Sequence, residues 1–220
     1  MPDLEQIFAP LSAADLQLDE GQQIVALGLY RELAKGTPVR HEQLASALDI
    51  PNREVSEVLD SDALSCLTFH DDSKAIVGFG GLAVVEMAHK FIVNGQTLYT
   101  WCAWDALFVP ELLDTIAQVE STCPETKLPV RLRVAPDGVE VVDPLATVVS
   151  FLLPDELRIE QTAPETMKSF CHLVYFLASL DAGRTWTERH AGTFVLSLED
   201  AFALAQMLNT HRFGPVLRHT

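Results

Sequence analysis

Basic side chains are scarce in this sequence. Its 220 residues include 15 lysines and arginines against 31 aspartates and glutamates, so the formal net charge is −16 at pH 7. Nucleic acids and anionic membranes present phosphate groups, and proteins bind these groups through clustered Lys and Arg side chains. We therefore expect no nucleic-acid partner and no membrane partner.

Long apolar runs are also missing. A membrane-spanning helix needs about 20 consecutive apolar residues, and no run in this chain approaches that length. The segment Met1–Glu5 is acidic and leads into no apolar signal segment. These absences indicate a soluble protein, and we expect a cytoplasmic location.

The four cysteines, Cys66, Cys102, Cys123 and Cys171, form no Cys-x-x-Cys pair. A thioredoxin-type dithiol and a zinc ribbon both depend on such pairs, so neither has support here. A chain of this length without an export signal is also a poor candidate for a disulfide framework. We expect four free thiols in a reducing compartment.

Apolar residues, by contrast, are abundant. They make up 48% of the chain, enough to bury a core, and the length fits one large domain or two small ones. The pattern predicts a loosely packed arm over Met1–Glu20, with room for one short helix, and then helices at Gln22–Lys35, at Glu42–Leu48 and after an N-cap at Asn52. Asp71–Ser73 is typical of the turn of a small β wing. Together these elements predict a winged-helix-like module.

Such a module has two interpretations, DNA binding or a purely structural role. The segment in the position of a recognition helix, Arg53–Leu59, offers one arginine against Glu54 and Glu57. That charge balance is unsuited to phosphates and base edges. The structural role is the favoured interpretation.

The pattern changes after Gly80. Asn94-Gly95 separates the alternating segments His89–Val93 and Gln96–Trp101, and it is the strongest hairpin signal because both turn residues tolerate positive φ. A capping-box-like Ser197–Asp200 predicts the start of a last helix. Further strands are predicted at Leu82–Met87, Ala117–Thr122, Val130–Val134, Val139–Val142, Thr147–Leu153, Cys171–Ala178 and Phe194–Leu196, and further helices at Ala103–Ile116 and Thr185–His190, with Thr166–Ser169 left open.

The fold class expected from these elements is α+β. A winged-helix-like three-helix module with its N-terminal arm occupies residues 1–80. A second α+β domain, with a mixed or antiparallel β-sheet core and flanking helices, occupies residues 81–220.

Chemistry is suggested first by Cys102 and Asp105, which stand three residues apart beside Trp101 and Trp104. If a helix begins near Cys102, the thiol and the carboxylate share one face, since residues i and i+3 are neighbours on a helix. The first turn of a helix lowers the pKa of a thiol, whereas a carboxylate beside it in a dry pocket favours sharing of one proton. Taken alone, the pair fits either a reactive site or ordinary packing, and packing is the more frequent case.

The surrounding segment, Trp101–Pro110, resembles the signature of the organomercurial (alkylmercury) lyases. Other segments are similar to this family in the same order. They are Leu29–Val39, Ser121–Cys123 with Pro129-Val130, Val148–Pro154, and Ser169–His172 with Phe176–Ser179. The similarity runs from about residue 22 to about residue 208, so it is far more specific than any single motif.

The resemblance implies a catalytic set of Cys102, Asp105 and Cys171, with residues 81–220 as the catalytic domain. It implies an enzyme that breaks a carbon–mercury bond by protonolysis. Thiolates are the softest ligands that proteins offer, so Cys102 and Cys171 would bind mercury, with Asp105 as the third residue of the metal set. Asp105 would pass a thiol proton to the leaving carbon, and Hg(II) would remain as bound product.

The resemblance also implies the partners of the reaction. The substrate is an organomercurial small molecule, and no organic cofactor or permanent metal is required. Exogenous thiol is needed for turnover, and cellular thiols or a mercuric reductase accept Hg(II) in mercury detoxification. The preference between alkyl and aryl substrates does not follow from the sequence.

Some residues depart from the family pattern or have an ordinary explanation. His172 stands where family members have a further cysteine, which leaves open whether mercury release differs here. Cys123 matches a cysteine with a structural role, and Cys66 lies outside the pattern. We expect His89, His172 and His190 to be surface or hydrogen-bonded core residues.

Two alternative functions remain open at this point. One is a mercury- or soft-metal-responsive regulator that uses the winged helix on DNA and the cysteines as a sensor, although the acidic charge argues against it. The other is a homologue that binds mercury or another soft metal without cleaving organomercurials, although all three catalytic residue types are present.

Overall fold

The computed structural model describes residues 3–153, 165 and 169–217, with residue 215 in its backbone only. The described helices are α1 (Leu4–Ala14), α2 (Glu20–Leu33), α3 (His41–Leu48), α4 (Asn52–Leu59), α5 (Asp62–Ser65), α6 (Asp105–Leu112), α7 (Leu180–Arg189) and α8 (Leu198–Leu217). The described strands are β1 (Thr68–His70), β2 (Ile76–Phe79), β3 (Leu82–Ala83), β4 (His89–Val93), β5 (Gln96–Thr100), β6 (Ala117–Thr122), β7 (Pro129–Ala135), β8 (Gly138–Asp143), β9 (Val148–Leu152), β10 (Phe176–Leu177) and β11 (Thr193–Ser197). A 3₁₀ turn lies at Cys171–Leu173.

Eight of the strands form one antiparallel sheet in the order β1-β2-β3-β5-β4-β6-β7-β8. A smaller antiparallel sheet has the order β10-β9-β11. Helix α8 packs against α1, α2 and α6 and also touches strands of both sheets, so it connects the other helices to the two sheets. The prediction of an α+β fold with an antiparallel sheet core is confirmed. Among the described helices, none combines the length and apolarity needed to cross a bilayer.

Helices α2, α3 and α4 lie where the sequence predicts three helices. Asp19 and Gln22 form a reciprocal capping box at the start of α2, with bonds of 2.8 and 3.0 Å. The prediction that Asn52 caps α4 is wrong, because Asn52 is the first helical residue and Pro51 occupies the cap position. Proline suits the start of a helix, where no backbone donor is required.

The hairpin of β1 and β2 is not detached from the rest of the molecule. Its turn is held by Asp71, whose Oδ1 accepts a hydrogen bond of 2.8 Å from the Ser73 amide. Strand β2 pairs with β3, which pairs with β5. The hairpin is therefore one edge of the eight-stranded sheet. The sheet continues across residue 80, and the division of the chain into domains there stays a prediction.

The N-terminal arm is more ordered than predicted. Residues Leu4–Ala14 form α1, which is capped by Asp3 through a bond of 3.3 Å to the Glu5 amide. Ile7 and Leu11 are buried against the core. The arm therefore packs tightly, and the prediction of loose packing is wrong.

Several predicted elements have different bounds. The strand predicted at Cys171–Ala178 is limited to β10, because the Leu173 and Val174 carbonyls accept bonds from the Ser150 hydroxyl and the Ala103 amide instead of a strand partner. Helix α7 begins at Leu180, ahead of the predicted start. The strand predicted at Leu82–Met87 ends at Ala83. Pro154 and residues 166–168, which belong to predicted segments, lie outside the described residues.

His89 of β4 is a buried histidine with no charged partner among the residues that the structure describes. Its exposed fraction is 1%, its Nδ1 lies 2.7 Å from Ser121 Oγ, and its Nε2 has no hydrogen-bond partner among the described residues. Burial lowers the pKa of His89 to about 4. An unfolded histidine titrates near ~6.5. Between these two values the unfolded chain binds a proton that the folded chain does not bind.

We expect the free energy of unfolding to fall as the pH drops from ~6.5 toward 4, by about 1.4 kcal/mol per pH unit from His89 alone. The variant His89→Gln removes this titration. Urea unfolding measures the free energy of unfolding of both proteins at several pH values between 4 and ~6.5. The free energy of the wild type should fall relative to that of His89→Gln as the pH falls. Parallel pH profiles for the two proteins would contradict this account of His89.

Candidate active site

Two separate segments bring the predicted site residues together. The first is the hairpin of β4 and β5, which turns at Asn94 and Gly95 with φ angles of 49° and 78°, as the Asn-Gly pair predicts. After Thr100 the chain bends through four buried residues to Asp105, the first residue of α6. The second segment is the 3₁₀ turn that begins at Cys171. The smaller sheet and the turn before it place Cys171 against the first segment.

The two thiols and the carboxylate form one buried cluster. The Sγ atoms of Cys102 and Cys171 and a carboxylate oxygen of Asp105 all lie within 4.8 Å of one another. The exposed fractions of the three residues are 0%, 4% and 7% respectively. Two thiolates and a carboxylate at these distances can bind one soft metal ion. The structure therefore brings together all three residues that the sequence predicts.

Asp105 is held against the backbone of Cys102. Its Oδ2 accepts a hydrogen bond of 2.7 Å from the Cys102 amide, and the Cys102 carbonyl accepts one of 2.9 Å from Thr100 Oγ1. The prediction that Cys102 and Asp105 share one helical face is wrong, because α6 begins only at Asp105. The carboxylate and the thiol are close because the chain bends back over this hydrogen bond.

Burial disfavours ionisation of both thiols. It raises the pKa of Cys102 well above its usual value, and the Cys171 thiol and the Asp105 charge raise it further. Hydrogen bonding with Cys102 lowers the pKa of Cys171, but burial and the Asp105 charge leave it raised overall. The prediction that a helix start lowers the pKa of Cys102 is wrong. Both thiols are therefore weaker acids than an ordinary cysteine.

Asp105 is a carboxyl group that can carry a proton near neutral pH. Burial raises its pKa to about 7, although hydrogen bonds from Cys102 and the charge of Arg212 oppose this shift. An ordinary aspartate titrates near ~3.9 and is almost fully ionised at pH 7. Asp105 is therefore able both to accept a proton from a thiol and to donate it to another atom.

A largely apolar cavity of about 130 Å³ opens over the cluster. Asp105 and Cys171 line it, whereas Cys102 is not among its lining residues and lies behind them. The apolar part of the wall includes Leu11, Trp101, Trp104, Phe108, Phe170 and Leu208. A small molecule that enters this cavity meets the Cys171 sulfur and the Asp105 carboxylate first.

The same part of the chain matches a known family. Residues 82–210, more than half of the sequence, match the family model described as MerB, alkylmercury lyase. The chain belongs to the alkylmercury lyase family. The resemblance seen in the sequence is thus confirmed, and the cluster of two cysteines and one aspartate lies inside the matched range.

Proteins named alkylmercury lyase are similar over most of the chain. The protein from Bacillus cereus is 38% identical over 182 residues, which cover 83% of this chain and 79% of the relative. The protein from Streptomyces lividans is 41% identical over 181 residues, covering 82% and 79%, and that from Staphylococcus epidermidis is 37% identical over 212 residues, covering 94% and 92%. A solved structure described as the mercury-bound form of MerB2 has a TM-score of 0.72 and 22% identity, and the match covers 94% of this chain and 98% of that one. At that identity it supports the fold alone.

The other cysteines lie outside the cluster of this lyase-family chain. All four thiols are free. Cys123 is fully buried, and its amide donates a bond of 2.9 Å to the Leu128 carbonyl. Cys66 is half-buried beside the cavity and donates from its Sγ to the Ala63 carbonyl at 3.3 Å. Neither sulfur belongs to a group of three metal-ligating side chains within the described residues.

The tryptophans and histidines have mostly structural contacts. Trp104 donates from Nε1 to the Ala201 carbonyl at 2.9 Å, which fixes its indole on the cavity wall. Trp101 packs edge-on against Phe69. His172 is exposed, in agreement with a surface role.

Gly81 supports Asp105 in a way that sequence reasoning does not identify. Its φ is 99°, and a Cβ built on it would lie 2.6 Å from Asp105 Cγ. Only glycine combines this backbone conformation with such a close approach to the carboxyl group. The preceding Gly80 is locked by Tyr30, whose hydroxyl donates a bond of 2.6 Å to the Gly80 carbonyl. The sequence signal for this role is the glycine pair Gly80-Gly81, which directly follows strand β2.

Asp15 and Arg212 form a second feature that the sequence does not reveal. Arg212 Nε lies 2.8 Å from both carboxylate oxygens of Asp15. Both residues line the cavity, and the charge of Arg212 lowers the pKa of Asp105. The two residues are 197 positions apart, so no local pattern in the sequence could pair them.

The raised pKa of Asp105 predicts a stability effect of opposite sign to that of His89. The folded chain keeps a proton on Asp105 up to about pH 7, so this stabilisation is complete below ~3.9 and is lost as the pH rises through 7. Asp105→Asn keeps the size and an acceptor oxygen but cannot ionise.

Between pH 5 and pH 8 the variant Asp105→Asn should therefore gain about 3 kcal/mol of stability relative to the wild type. Urea unfolding of both proteins at the two pH values measures this difference. A stability difference that does not change with pH would show that Asp105 titrates alike in the folded and unfolded chains.

Proposed function

We propose that this chain is an alkylmercury lyase, which cleaves the carbon–mercury bond of an organomercurial by protonolysis and yields a hydrocarbon and Hg(II). The observation that carries the proposal is the buried cluster of Cys102, Asp105 and Cys171 under an apolar cavity, in a chain that belongs to the alkylmercury lyase family. The cavity admits an apolar organic group, and the cluster supplies soft ligands and a proton.

Mercury binding is assigned to the two cysteines. Cys171 lines the cavity, so its sulfur is the first to attack mercury. It displaces the thiolate ligand that the organomercurial carries in excess thiol, and that ligand leaves as a free thiol with the Cys171 proton. Cys102 lies behind Cys171 within 4.8 Å, which lets both sulfurs bind the same metal ion. Electron density donated by sulfur weakens the bond between mercury and carbon.

Proton transfer is assigned to Asp105. The proton of the Cys102 thiol passes through the Asp105 carboxylate to the carbon bound to mercury. The electron pair of the broken mercury–carbon bond forms the new carbon–hydrogen bond, and the hydrocarbon leaves. Hg(II) stays bound to two thiolates, so charge and protons balance without any oxidant or reductant.

Release of Hg(II) completes the cycle. Two buried thiolates bind Hg(II) tightly, so exogenous thiol is needed for turnover, and cellular thiols or a mercuric reductase are the acceptors. The reaction calls for no organic cofactor and no resident metal. The role is mercury detoxification in the cytoplasm.

The alternative functions have less support. A DNA-binding regulator needs a basic surface, whereas the chain carries a net charge of −16 and α4 has one arginine that is paired with Glu57 at 2.7 Å. A homologue that only binds a soft metal does not need a carboxyl group with a pKa near 7 beside the two thiols. The cleavage reaction uses all three groups.

Product analysis tests the function directly. The purified protein with methylmercury or phenylmercury and excess thiol should release methane or benzene and Hg(II), as measured by gas chromatography. If no hydrocarbon appears above a blank that contains thiol alone, the lyase function is wrong. A salt-sensitive gel shift with DNA would instead support the regulator.

Substitutions separate the two proposed roles. Cys102→Ser and Cys171→Ser should each abolish turnover, since one sulfur cannot replace the pair. Asp105→Ala should still bind Hg(II), while hydrocarbon release falls by about 100-fold or more, the usual loss when a general acid is removed. Cys123→Ala, at a buried cysteine away from the cluster, is the control and should retain turnover. Unchanged turnover in Asp105→Ala would remove Asp105 from the mechanism.

Gly81→Ala tests whether the position of the carboxyl group matters. The new methyl group would push Asp105 away from the Cys102 amide, and a displacement of about 1 Å can cost about 100-fold in rate. Gly95→Ala is the matched control, because its φ of 78° is equally unfavourable for alanine, yet its Cβ meets no described atom within 4 Å. Both variants should lose stability, whereas only Gly81→Ala should lose kcat. Equal kcat in the two variants would contradict the role of Gly81.

A further inference from the structure

The ion pair of Asp15 and Arg212 lines the cavity but has no part in the proposed mechanism. Asp15 caps the end of α1, and Arg212 belongs to α8. The side chain of Asp15 is 3% exposed and that of Arg212 is 18% exposed. Taking two charges out of water costs much of the energy that their attraction returns. Stability alone is therefore a weak reason for an ion pair in a mostly apolar cavity wall.

One edge of the Arg212 guanidinium is used and another is free. A guanidinium has five N–H donors. Asp15 accepts hydrogen bonds from Nε, which lies 2.8 Å from each carboxylate oxygen, and from Nη2. No bond from Nη1 reaches a residue that the structure describes, and Nη1 is not one of the buried polar atoms without a partner, so solvent reaches it. Nη1 and the second N–H of Nη2 form the fork that binds both oxygens of a carboxylate.

This free edge is close to the reacting groups. Burial raises the pKa of Asp105, and the charge of Arg212 opposes that shift, an effect that a charge exerts only from nearby. Asp105, Cys171 and Arg212 line the same cavity. Among the described residues of its wall, Arg212 is the only lysine or arginine. A ligand that is bound to mercury at Cys171 and carries a negative group therefore finds one cation to pair with.

The thiols that take part in the proposed reaction can carry such a group. A thiolate is displaced from the organomercurial at the first step, and free thiol removes Hg(II) at the last step. Both exchanges take place at the Cys171 sulfur. In a small thiol derived from an amino acid or another carboxylic acid, the carboxylate lies a few bonds from the sulfur, so both ends of the molecule occupy the cavity that Arg212 lines.

We propose that Arg212, held in place by Asp15, binds the carboxylate of the thiol that exchanges with mercury at Cys171. The proposal rests on the mercury exchange in the proposed lyase function. It makes small thiols that carry a carboxylate the preferred co-substrates and Arg212 the residue that selects them. In the release step the thiol sulfur forms a bond to mercury, the bond from mercury to the Cys171 sulfur breaks, and the thiol proton passes to Cys171. A second thiol frees Cys102 in the same way, with no change of oxidation state.

The net charge of the chain makes this preference easy to recognise. At −16, the protein as a whole repels an anionic thiol. Without a local cation, a neutral thiol should therefore react faster than an anionic thiol of the same size. A preference for the anionic thiol needs a positive group at the cavity, and Arg212 supplies it.

The test uses 3-mercaptopropionate and 3-mercaptopropionamide, which differ only in a carboxylate and a neutral amide. Protein loaded with one equivalent of Hg(II) is mixed with each thiol, and the metal left on the protein is measured after rapid gel filtration. The second-order rate constants for removal give one ratio, acid to amide, for each protein. Comparing this ratio between proteins cancels the intrinsic reactivities of the two thiols.

The double variant Asp15→Leu/Arg212→Met removes the ion pair without leaving a buried charge unpaired. Its ratio should fall by about tenfold, since a hydrogen bond to a charged group typically changes binding by about that factor. Glu57→Leu/Arg53→Met is the matched control. It removes an exposed ion pair of 2.7 Å on α4, outside the cavity wall, and its ratio should equal that of the wild type. An unchanged ratio in the double variant at Asp15 and Arg212 would overturn the proposal.

A single variant decides if that double variant does not fold. Arg212→Lys keeps a cation beside Asp15 but lacks the planar second edge of donors. Its ratio of acid to amide should also fall. The wild-type ratio in Arg212→Lys would overturn the binding of a carboxylate by the guanidinium fork.

These rates are measured without an organomercurial, so they separate the inference from the proposed function. A carboxylate preference that depends on Arg212, together with no hydrocarbon from methylmercury or phenylmercury, would support the thiol site and refute the lyase function. Hydrocarbon release with no such preference would support the lyase function and refute the thiol site. A protein that binds no Hg(II) would refute both.

Discussion

A hydrogen bond of 2.7 Å from the Cys102 amide to the Asp105 carboxylate is the constraint on which the site depends. It ties the exit of the hairpin to the first turn of α6 and turns the carboxyl group toward the sulfur atoms. Gly81 packs against the other side of the same carboxyl group and leaves no room for a side chain. Asp105 is thus held from two directions, so the proton transfer that we propose would start from a fixed carboxyl group and not from a mobile side chain.

Burial sets the chemistry of this site and its effect on stability. Removing Asp105 from water raises its pKa to about 7, which makes the group useful as a proton carrier and at the same time makes its ionised form costly in the folded chain. The same process acts on His89, where it disfavours the charged form and lowers the pKa to about 4. The two residues therefore respond to pH in opposite directions. The proposed mechanism accounts for the cost at Asp105, whereas the cost at His89 arises from packing in the core.

The sequence predicted those elements whose structure depends on interactions between neighbouring residues. The Asn94-Gly95 turn, helices α2 to α4 and the start of α8 all follow from capping, turn and periodicity signals. The resemblance to the lyase family named Cys102, Asp105 and Cys171 before any geometry was known. Residues whose role depends on distant contacts were not predictable, because Gly81 matters only through Asp105 and Asp15 only through Arg212. The 3₁₀ turn at Cys171 was also missed, since its backbone bonds go to a loop and to the Ser150 hydroxyl and not to a strand.

The ion pair between Asp15 and Arg212 also bears on how the molecule is made. It joins residues 197 positions apart, so closing it costs as much chain entropy as almost any contact in this protein. During synthesis the first helix leaves the ribosome long before the last one exists, so Asp15 has no ion-pair partner on α8 until residue 212 has been added. The β4–β5 hairpin that precedes Cys102 pairs residues close in sequence. It can therefore form before the last helix has been synthesised. Cys102 and Asp105 are therefore joined by a contact within one short segment, whereas the part of the cavity wall held by Asp15 and Arg212 is completed only when the last helix is present.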